Sequence, residues 1–297
     1  MDPSADRFDN PLAILPAAAP AANWTEERVL AIRHWTPTLL SFRTTRYRAF
    51  RFTPGHYARL GLGGEAAGQP PVSAGGAGEN ASSTTGESAS GGVDGVVWRP
   101  YSMVSAATDE HLEFISVLVP GGAFSQRLAE LRVGDAIRVD KAAFGFLTVD
   151  QLAPGRDLWM LASGTGLGPF VAILRDPAVW GRFERLILAH GVRRAGELAY
   201  RDEIEALAAN ADGAQLVYLP IVTREAGATP LSGRIPQLLA AGALEGAAGA
   251  TLSVEHSRVM VCGNPEMARE LRQQLGALGF STTRRGVPGQ MAFEKYW

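Results

Sequence analysis

The stretch Leu158-Trp159-Met160-Leu161-Ala162-Ser163-Gly164-Thr165-Gly166-Leu167-Gly168-Pro169-Phe170 lies near the middle of the chain. Its five apolar residues are typical of a buried parallel strand. The glycines that follow let the backbone approach a phosphate closely, and Pro169 suits the first turn of a helix whose amides attract an anion. A glycine turn alone is as often structural as functional, but its place between strand and helix favours nucleotide binding.

Downstream of Pro154, apolar strand patterns alternate with helical patterns, which predicts a parallel sheet covered on both faces. The predicted strands are 158–162, 186–191, 215–222 and 258–262, and the predicted helices are 169–175, 198–210, 234–241 and 265–278. Ligands of such sheets bind at the carboxyl ends of the strands, where the Gly164 turn stands.

Upstream, short runs rich in Val, Ile, Leu and aromatic residues are separated by Pro, Gly and Asp. The predicted strands are 27–35, 39–44, 56–62, 96–104, 111–119 and 136–141, with one helix at 125–131. Six strands with one helix predict an antiparallel β-barrel.

The chain has 297 residues, a net charge of -2 and one cysteine. The length fits two domains, and we predict a barrel domain at 24–153 and an α/β domain at 154–297. Residues 1–23 are expected to form a flexible leader, and the Gly-, Ala-, Ser- and Thr-rich segment 63–95 a disordered insertion. A single cysteine excludes a disulfide within the chain and a cysteine-ligated cluster, and we expect no metal site.

Three further motifs carry chemistry. Arg99-Pro100-Tyr101-Ser102 follows a strand pattern, and an arginine beside a serine-capped helix at Pro120-Gly121-Gly122-Ala123-Phe124-Ser125 would suit a pyrophosphate. Cys262-Gly263-Asn264-Pro265 ends a second strand of the α/β half. Singly these motifs are weak, because Tyr101 and Cys262 also suit a core and Arg99 a solvated strand end.

In this order, with the glycine turn, the motifs resemble the ferredoxin–NADP(+) reductase family. The ending Phe293-Glu-Lys-Tyr-Trp297 beyond Arg284-Arg285 and Pro288 is similar to its bacterial branch. The resemblance covers residues 24–297 except 63–95. It implies that the barrel binds FAD and that the α/β domain binds NADP(H).

The resemblance also implies roles for individual residues. Arg99 and Ser125 would hold the FAD pyrophosphate, Tyr101 would pack on the isoalloxazine, and Ser102 would lie near its N5 atom. The implied FAD-binding residues are Arg99, Pro100, Tyr101, Ser102, Ile115, Ser116, Val117, Leu118, Ala123, Phe124, Ser125, Thr165, Tyr296 and Trp297. The implied catalytic residues are Ser102, Thr165 and Cys262. Glu294 is a candidate proton relay, although we expect a solvated carboxylate there.

Arginines after the second-domain strands favour NADP over NAD, because a guanidinium matches the geometry of a 2′-phosphate. Arg193 and Arg224 follow such strands, and a third arginine, Arg234, lies in Ser232-Gly-Arg-Ile-Pro236. The expected NADP-binding residues are Gly164, Thr165, Gly166, Val192, Arg193, Thr223, Arg224, Arg234, Cys262, Gly263, Asn264, Pro265 and Glu266.

The expected reaction is hydride transfer from NADPH to the flavin, followed by single-electron transfer to ferredoxin or flavodoxin. Seven arginines and no acidic residue lie between Arg28 and Leu60, and Arg43, Arg46, Arg48 and Arg51 are candidates for docking an acidic carrier. Solvation of an outer strand face explains any one of them equally well. We expect a cytoplasmic monomer that binds neither nucleic acid nor membrane. The alternatives are a flavin, quinone or oxygenase reductase of the same fold, and a non-enzymatic nucleotide-binding redox sensor.

Overall fold

The computed structural model describes residues 22–63, 95–209 and 213–295. Nearly all of the expected leader at 1–23 and of the expected insertion at 63–95 lies outside these ranges. The predicted FAD-binding residues Tyr296 and Trp297 lie outside them as well.

The first half is a nearly closed barrel of antiparallel strands, which confirms the predicted fold. Its strands are β1 (Trp24–His34), β2 (Leu39–Thr45), β3 (Tyr57–Leu62), β4 (Val97–Ser102), β5 (His111–Val117) and β6 (Ala136–Asp140). Hydrogen bonds join them in the order β4-β3-β6-β1-β2-β5, so β4 and β5 border the open seam of the barrel. Helix α1 (Ala123–Glu130) follows β5 and buries Phe124 and Leu128.

The second half is a parallel sheet of five strands, in the order β11-β10-β7-β8-β9. The strands are β7 (Asp157–Ser163), β8 (Arg185–Val192), β9 (Gln215–Val222), β10 (Ser257–Gly263) and β11 (Met291–Lys295). The helices are α2 (Gly168–Leu174), α3 (Pro177–Trp180), α4 (Arg201–Ala209), α5 (Ile235–Ala240), α6 (Ala243–Ala248) and α7 (Pro265–Ala277). Strand β7 lies at the centre, which explains its unbroken apolar sequence.

An apolar core joins the two halves. Leu39, Val104 and Ile115 of the barrel half belong to the same buried cluster as Leu167 and Phe170, which follow β7. Burial of this apolar area fixes the carboxyl edge of the parallel sheet against the barrel.

The elements depart from the sequence prediction in a few places. The predicted helix 198–210 begins only at Arg201, after a short 3-10 turn at Ala195–Glu197. The short helices α3 and α6 were not predicted, and neither was β11. None of the helices in the described part of the chain has the length and apolar character of a membrane span.

Candidate active site

The Arg99-Pro100-Tyr101-Ser102 motif does not follow a strand but is the last part of β4 itself, at the seam of the barrel. Across the seam, the hydroxyl groups of Tyr101 and Ser116 lie 2.9 Å apart. The Tyr101 ring lies 5.3 Å from that of Phe124 on α1, between centroids, and burial raises the pKa of its hydroxyl. The seam therefore brings together the predicted residues of β4, β5 and the start of α1.

The remaining predicted FAD-binding residues border this region. Ile115 and Ser116 are buried, Val117 and Leu118 are half-buried, and Pro100 is exposed. The half-buried Arg99 donates a hydrogen bond from Nη1 to the Trp98 carbonyl.

Ser125 does not cap α1, in contrast to our expectation. The helix begins at the exposed Ala123 with Gly122 as its N-cap, and the Ser125 hydroxyl accepts a hydrogen bond from the Val119 amide at 3.0 Å. A glycine cap leaves no side-chain signal in the sequence, because glycine has no acceptor to offer the helix amides. Ser125 instead ties the first turn of the helix to the loop that leaves β5.

The glycine motif forms a 3-10 turn at Gly164–Leu167, at the carboxyl end of β7. Gly164 is exposed with φ at 54°, and a Cβ there would meet nothing within 4 Å. Thr165 and Gly166 are buried, and a Cβ on Gly166 would come within 2.3 Å of the Cys262 carbonyl oxygen. The turn therefore offers open backbone on one side and close packing on the other, as a phosphate-binding turn requires.

The loop after β10 interlocks with this turn. The buried Cys262 ends the apolar part of β10, and Gly263 has φ at 128°, a conformation that favours glycine. The Ser163 hydroxyl accepts a hydrogen bond from the Asn264 amide, and the Asn264 side chain accepts from the amides of Glu266 and Met267. Asn264 is thus the N-cap of α7, with Pro265 at the first helical position.

Barrel and sheet meet at a hydrogen bond between Ser102 and Glu294. The Ser102 hydroxyl lies 2.9 Å from Oε1 of Glu294 on β11. Burial raises the pKa of the Glu294 carboxyl to about 7. Our expectation of a solvated carboxylate was therefore wrong, because β11 places this side chain against the barrel.

Arg193 and Arg224, with their neighbours Val192 and Thr223, lie at the carboxyl ends of β8 and β9. The Arg224 amide donates to the Arg193 carbonyl, and the Thr223 amide and hydroxyl both donate to Val192. Arg193 and Arg224 are exposed. Arg234, the N-cap of α5, lies 3.0 Å from a Glu270 carboxylate oxygen and 3.5 Å from one of Glu266.

His190, a buried residue of β8 under the glycine turn, lies in none of the sequence motifs. Its Nε2 lies 3.0 Å from the Gly164 carbonyl oxygen, which can only accept, so Nε2 carries the proton. Burial lowers the pKa of the ring to about 4. A neutral histidine therefore holds the turn, and no sequence motif marks a single histidine inside an apolar strand.

A cavity of about 350 Å³ lies beside β11. Arg272 stacks over the ring of Phe293 at 4.3 Å, and Phe146, Arg284 and Arg285 complete the basic and aromatic part of the wall. These side chains suit a ligand with a planar ring and negative charge. In the described ranges, no group of three or more His, Cys, Asp or Glu side chains could hold a metal ion.

Known proteins share both the sequence and the fold. Residues 160–273 match the family model described as the oxidoreductase NAD-binding domain. Ferredoxin–NADP reductase A of Sorangium cellulosum is 39% identical over 279 residues, 92% of this chain and 90% of that protein. The flavodoxin/ferredoxin–NADP reductase of Escherichia coli (strain K12) is 35% identical over 278 residues, 93% of this chain and 100% of that protein.

A crystal structure of the ferredoxin NADP+ reductase of Neisseria gonorrhoeae, with bound FAD and NADP, superimposes with a TM-score of 0.79 and 34% identity. The match covers 93% of this chain and all, 100%, of that one. Because the similarity spans both the barrel and the parallel sheet, the chain belongs to the ferredoxin–NADP reductase family.

Proposed function

We propose that this protein is an FAD-dependent oxidoreductase that transfers electrons between NADPH and ferredoxin or flavodoxin. The observation that carries the proposal is the Ser102–Glu294 hydrogen bond. It brings the barrel strand that carries the proposed flavin contacts next to the sheet that carries the proposed nicotinamide contacts. The family relatives bear the name of this activity, and the Neisseria gonorrhoeae structure holds both cofactors.

The barrel, residues 24–153, is the proposed FAD domain. When bound, FAD accepts an electron pair as hydride and gives electrons up singly. Tyr101 would pack on the ring system, with Phe124 supporting its position, and Arg99 with the first turn of α1 would bind the pyrophosphate. The other proposed FAD contacts are Pro100, Ser102, Ile115, Ser116, Val117, Leu118, Ala123, Ser125, Thr165, Tyr296 and Trp297.

Residues 154–297 form the proposed NADP(H) domain. The Gly164 turn leaves room for a phosphate, and the exposed guanidinium groups of Arg193 and Arg224 suit the 2′-phosphate. Arg234 would bind the same phosphate after its ion pairs with Glu266 and Glu270 break. The remaining proposed contacts are Thr165, Gly166, Val192, Thr223, Cys262, Gly263, Asn264, Pro265 and Glu266.

Three residues have proposed roles at the reacting atoms. Thr165 and Cys262 would pack around the nicotinamide, since the glycine turn and the β10 end touch each other. Ser102 would contact the flavin N5 edge and pass a proton between that position and the Glu294 carboxyl. Hydride transfer from NADPH needs no general base. The Ser102–Glu294 pair would therefore move its proton in the later step, in which electrons pass to the carrier.

The proposed electron carrier docks through basic residues of the barrel. Arg48 and Arg51 are exposed and suit this role, and Arg51 also donates to the carbonyls of Arg48 and Phe50. Arg46 donates to the carbonyls of Ala107, Asp109 and Phe50, and Arg43 lies 3.3 Å from Glu113, so these two also serve the fold. We propose that the enzyme works as a monomer in the cytoplasm.

Anaerobic reduction tests the proposed activity. The purified protein should be yellow, should bleach on addition of NADPH, and should bleach much more slowly with NADH. The reduced protein should regain its colour when mixed with oxidised ferredoxin or flavodoxin. A protein that cannot be reconstituted with FAD, or that bleaches with NADPH but passes no electrons to either carrier, would contradict the proposal.

A further inference from the structure

A buried carboxylate, Glu113 of β5, joins the barrel to the parallel-sheet half. Only 4% of this residue is exposed to solvent. Arg175 donates to Oε2 at 2.9 Å, and the Tyr200 hydroxyl donates to Oε1 at 2.9 Å. Both carboxylate oxygens of this barrel residue therefore have donors from the other half of the protein.

Arg175, the C-cap residue directly after α2, donates hydrogen bonds to several groups. Besides Glu113, it donates to the Val104 carbonyl of the barrel at 2.9 Å and to both carboxylate oxygens of Glu203 at 2.7 and 2.9 Å. Burial acts to raise the pKa of Glu113, but Arg175, Tyr200 and Arg43 outweigh it and lower that pKa. The carboxyl is therefore ionised at neutral pH, and its charge is compensated.

Tyr200, which donates to Glu113, has an uncommon backbone conformation. Among the described residues it is the one non-glycine residue with positive φ, at 57°. Its ring lies 4.9 Å from that of Trp35, a residue of the barrel half. Strained conformations of this kind persist where surrounding contacts hold them, and they cluster at functional positions.

Helix α2 connects this cluster to the candidate active site. All seven of its residues are buried, which gives a rigid segment about 10 Å long. Its first residue, Gly168, directly follows the turn that carries Thr165, and a Cβ there would lie 3.2 Å from Ile115 and 3.3 Å from Val104. The barrel therefore contacts the start of α2 by close packing and its end through Arg175.

We propose that Glu113 is a positioning residue that, through Arg175, Tyr200 and α2, sets the separation of the Thr165 turn from the Tyr101–Ser102 strand. This inference rests on the proposed function, since that separation governs the distance over which hydride passes from NADPH to the flavin. Hydride transfer is steeply sensitive to misplacement of the reacting atoms. Glu113 itself touches neither cofactor in this assignment.

The test compares Glu113→Gln with Glu27→Gln in the FAD-loaded protein. Glu27 is a matched control because it is a barrel carboxylate with 5% of the residue exposed, held by the hydroxyls of Thr25 and Thr45. Stopped-flow mixing gives the rate of flavin reduction at saturating NADPH. Titration with NADP+ gives its dissociation constant, and hydrogen–deuterium exchange reports on amides 165–175.

We expect Glu113→Gln to slow flavin reduction at saturating NADPH by about 10-fold or more, as a misplacement of a fraction of an ångström would. The NADP+ dissociation constant and the FAD content should stay within about twofold of wild type, and amides 165–175 should exchange faster. Glu27→Gln should lower the melting temperature with little effect on the rate. Tyr200→Phe, which keeps the Arg175 contact, should show a smaller slowing of the same kind.

The inference is overturned if flavin reduction by Glu113→Gln and Tyr200→Phe matches wild type, or if their rates fall only in proportion to lost FAD. Should Glu113→Gln not fold, Tyr200→Phe decides alone by the same measurements. A wild-type protein that NADPH does not reduce would contradict the proposed function instead. Exchange at amides 165–175 would then still show whether Glu113 holds the turn.

Discussion

Glu294 has a carboxyl that titrates near neutral pH, because burial raises its pKa to about 7. Its ionised form can accept a proton through the Ser102 hydroxyl, 2.9 Å away. In the proposed cycle a proton must leave the N5 position as electrons pass to the carrier. Carrier reduction should therefore rise as the pH increases through about 7 and level off above it.

Glu294→Gln should remove this inflection and lower the plateau by about 100-fold, the usual contribution of a positioned acid or base. The measurement is the rate of ferredoxin or flavodoxin reduction as a function of pH, with flavin reduction by NADPH recorded alongside. Flavin reduction serves as an internal control, since hydride transfer needs no proton. An unchanged inflection in the variant would exclude Glu294 as the proton acceptor.

Sequence motifs mark the candidate site residues that stand in dense groups, such as Arg99 to Ser102 and Gly164 to Gly166. They did not identify Glu113 of β5 or His190 of β8, which belong to none of these groups. Their importance comes from partners far away in the chain, Arg175 and Tyr200 for Glu113 and Gly164 for His190. No local pattern encodes such contacts.

The 3-10 turn after β7 depends on Gly166. A Cβ at this position would come within 2.3 Å of the Cys262 carbonyl oxygen, part of a β10 backbone that cannot move aside. Gly166→Ala should destabilise the protein by about 1–3 kcal/mol, the usual cost of overpacking a core. It should also raise the KM for NADPH, because the turn and the β10 loop would separate.

Thermal unfolding and NADPH kinetics check this prediction, with Gly181→Ala as the control. A Cβ at Gly181 would meet nothing within 4 Å, and its φ of -90° is open to any residue. The control should stay within about 0.5 kcal/mol of wild type. A Gly166→Ala protein as stable as Gly181→Ala would mean that the two loops do not pack as closely as described.

Strand periodicity located all six barrel strands and the first four strands of the sheet, because alternating and continuous apolar runs follow from burial. Strand β11 was not predicted, because Met291 to Lys295 is a short segment that ends in charged residues. Its position comes from pairing with β10, a contact between residues about 30 positions apart. Helix α1 begins at Ala123 and not at the predicted residue 125, because its N-cap, Gly122, has no side chain that marks a cap in the sequence.

The protein's net charge of -2 conceals an uneven distribution of charged residues. No acidic residue occurs between Arg28 and Leu60, so the barrel carries a local basic surface. Part of that charge is committed to the fold, as the contacts of Arg43, Arg46 and Arg59 with Glu113, backbone carbonyls and Asp140 indicate. Arg48 and Arg51 are exposed and can still steer an acidic carrier, although Arg51 also donates to the Arg48 and Phe50 carbonyls.

The double variant Arg48→Glu/Arg51→Glu should slow reduction of ferredoxin or flavodoxin by about 10-fold at low ionic strength, because steering of a charged partner raises association rates by that order or more. The deficit should shrink as salt screens the charges. Reduction of an uncharged quinone should be unaffected.

Arg182→Glu/Arg201→Glu is the matched control, because it makes the same change in net charge at two exposed positions of the other half. The surface ion pairs of these two arginines contribute little to stability. Equal slowing by both double variants would assign the effect to net charge and remove Arg48 and Arg51 from the docking surface.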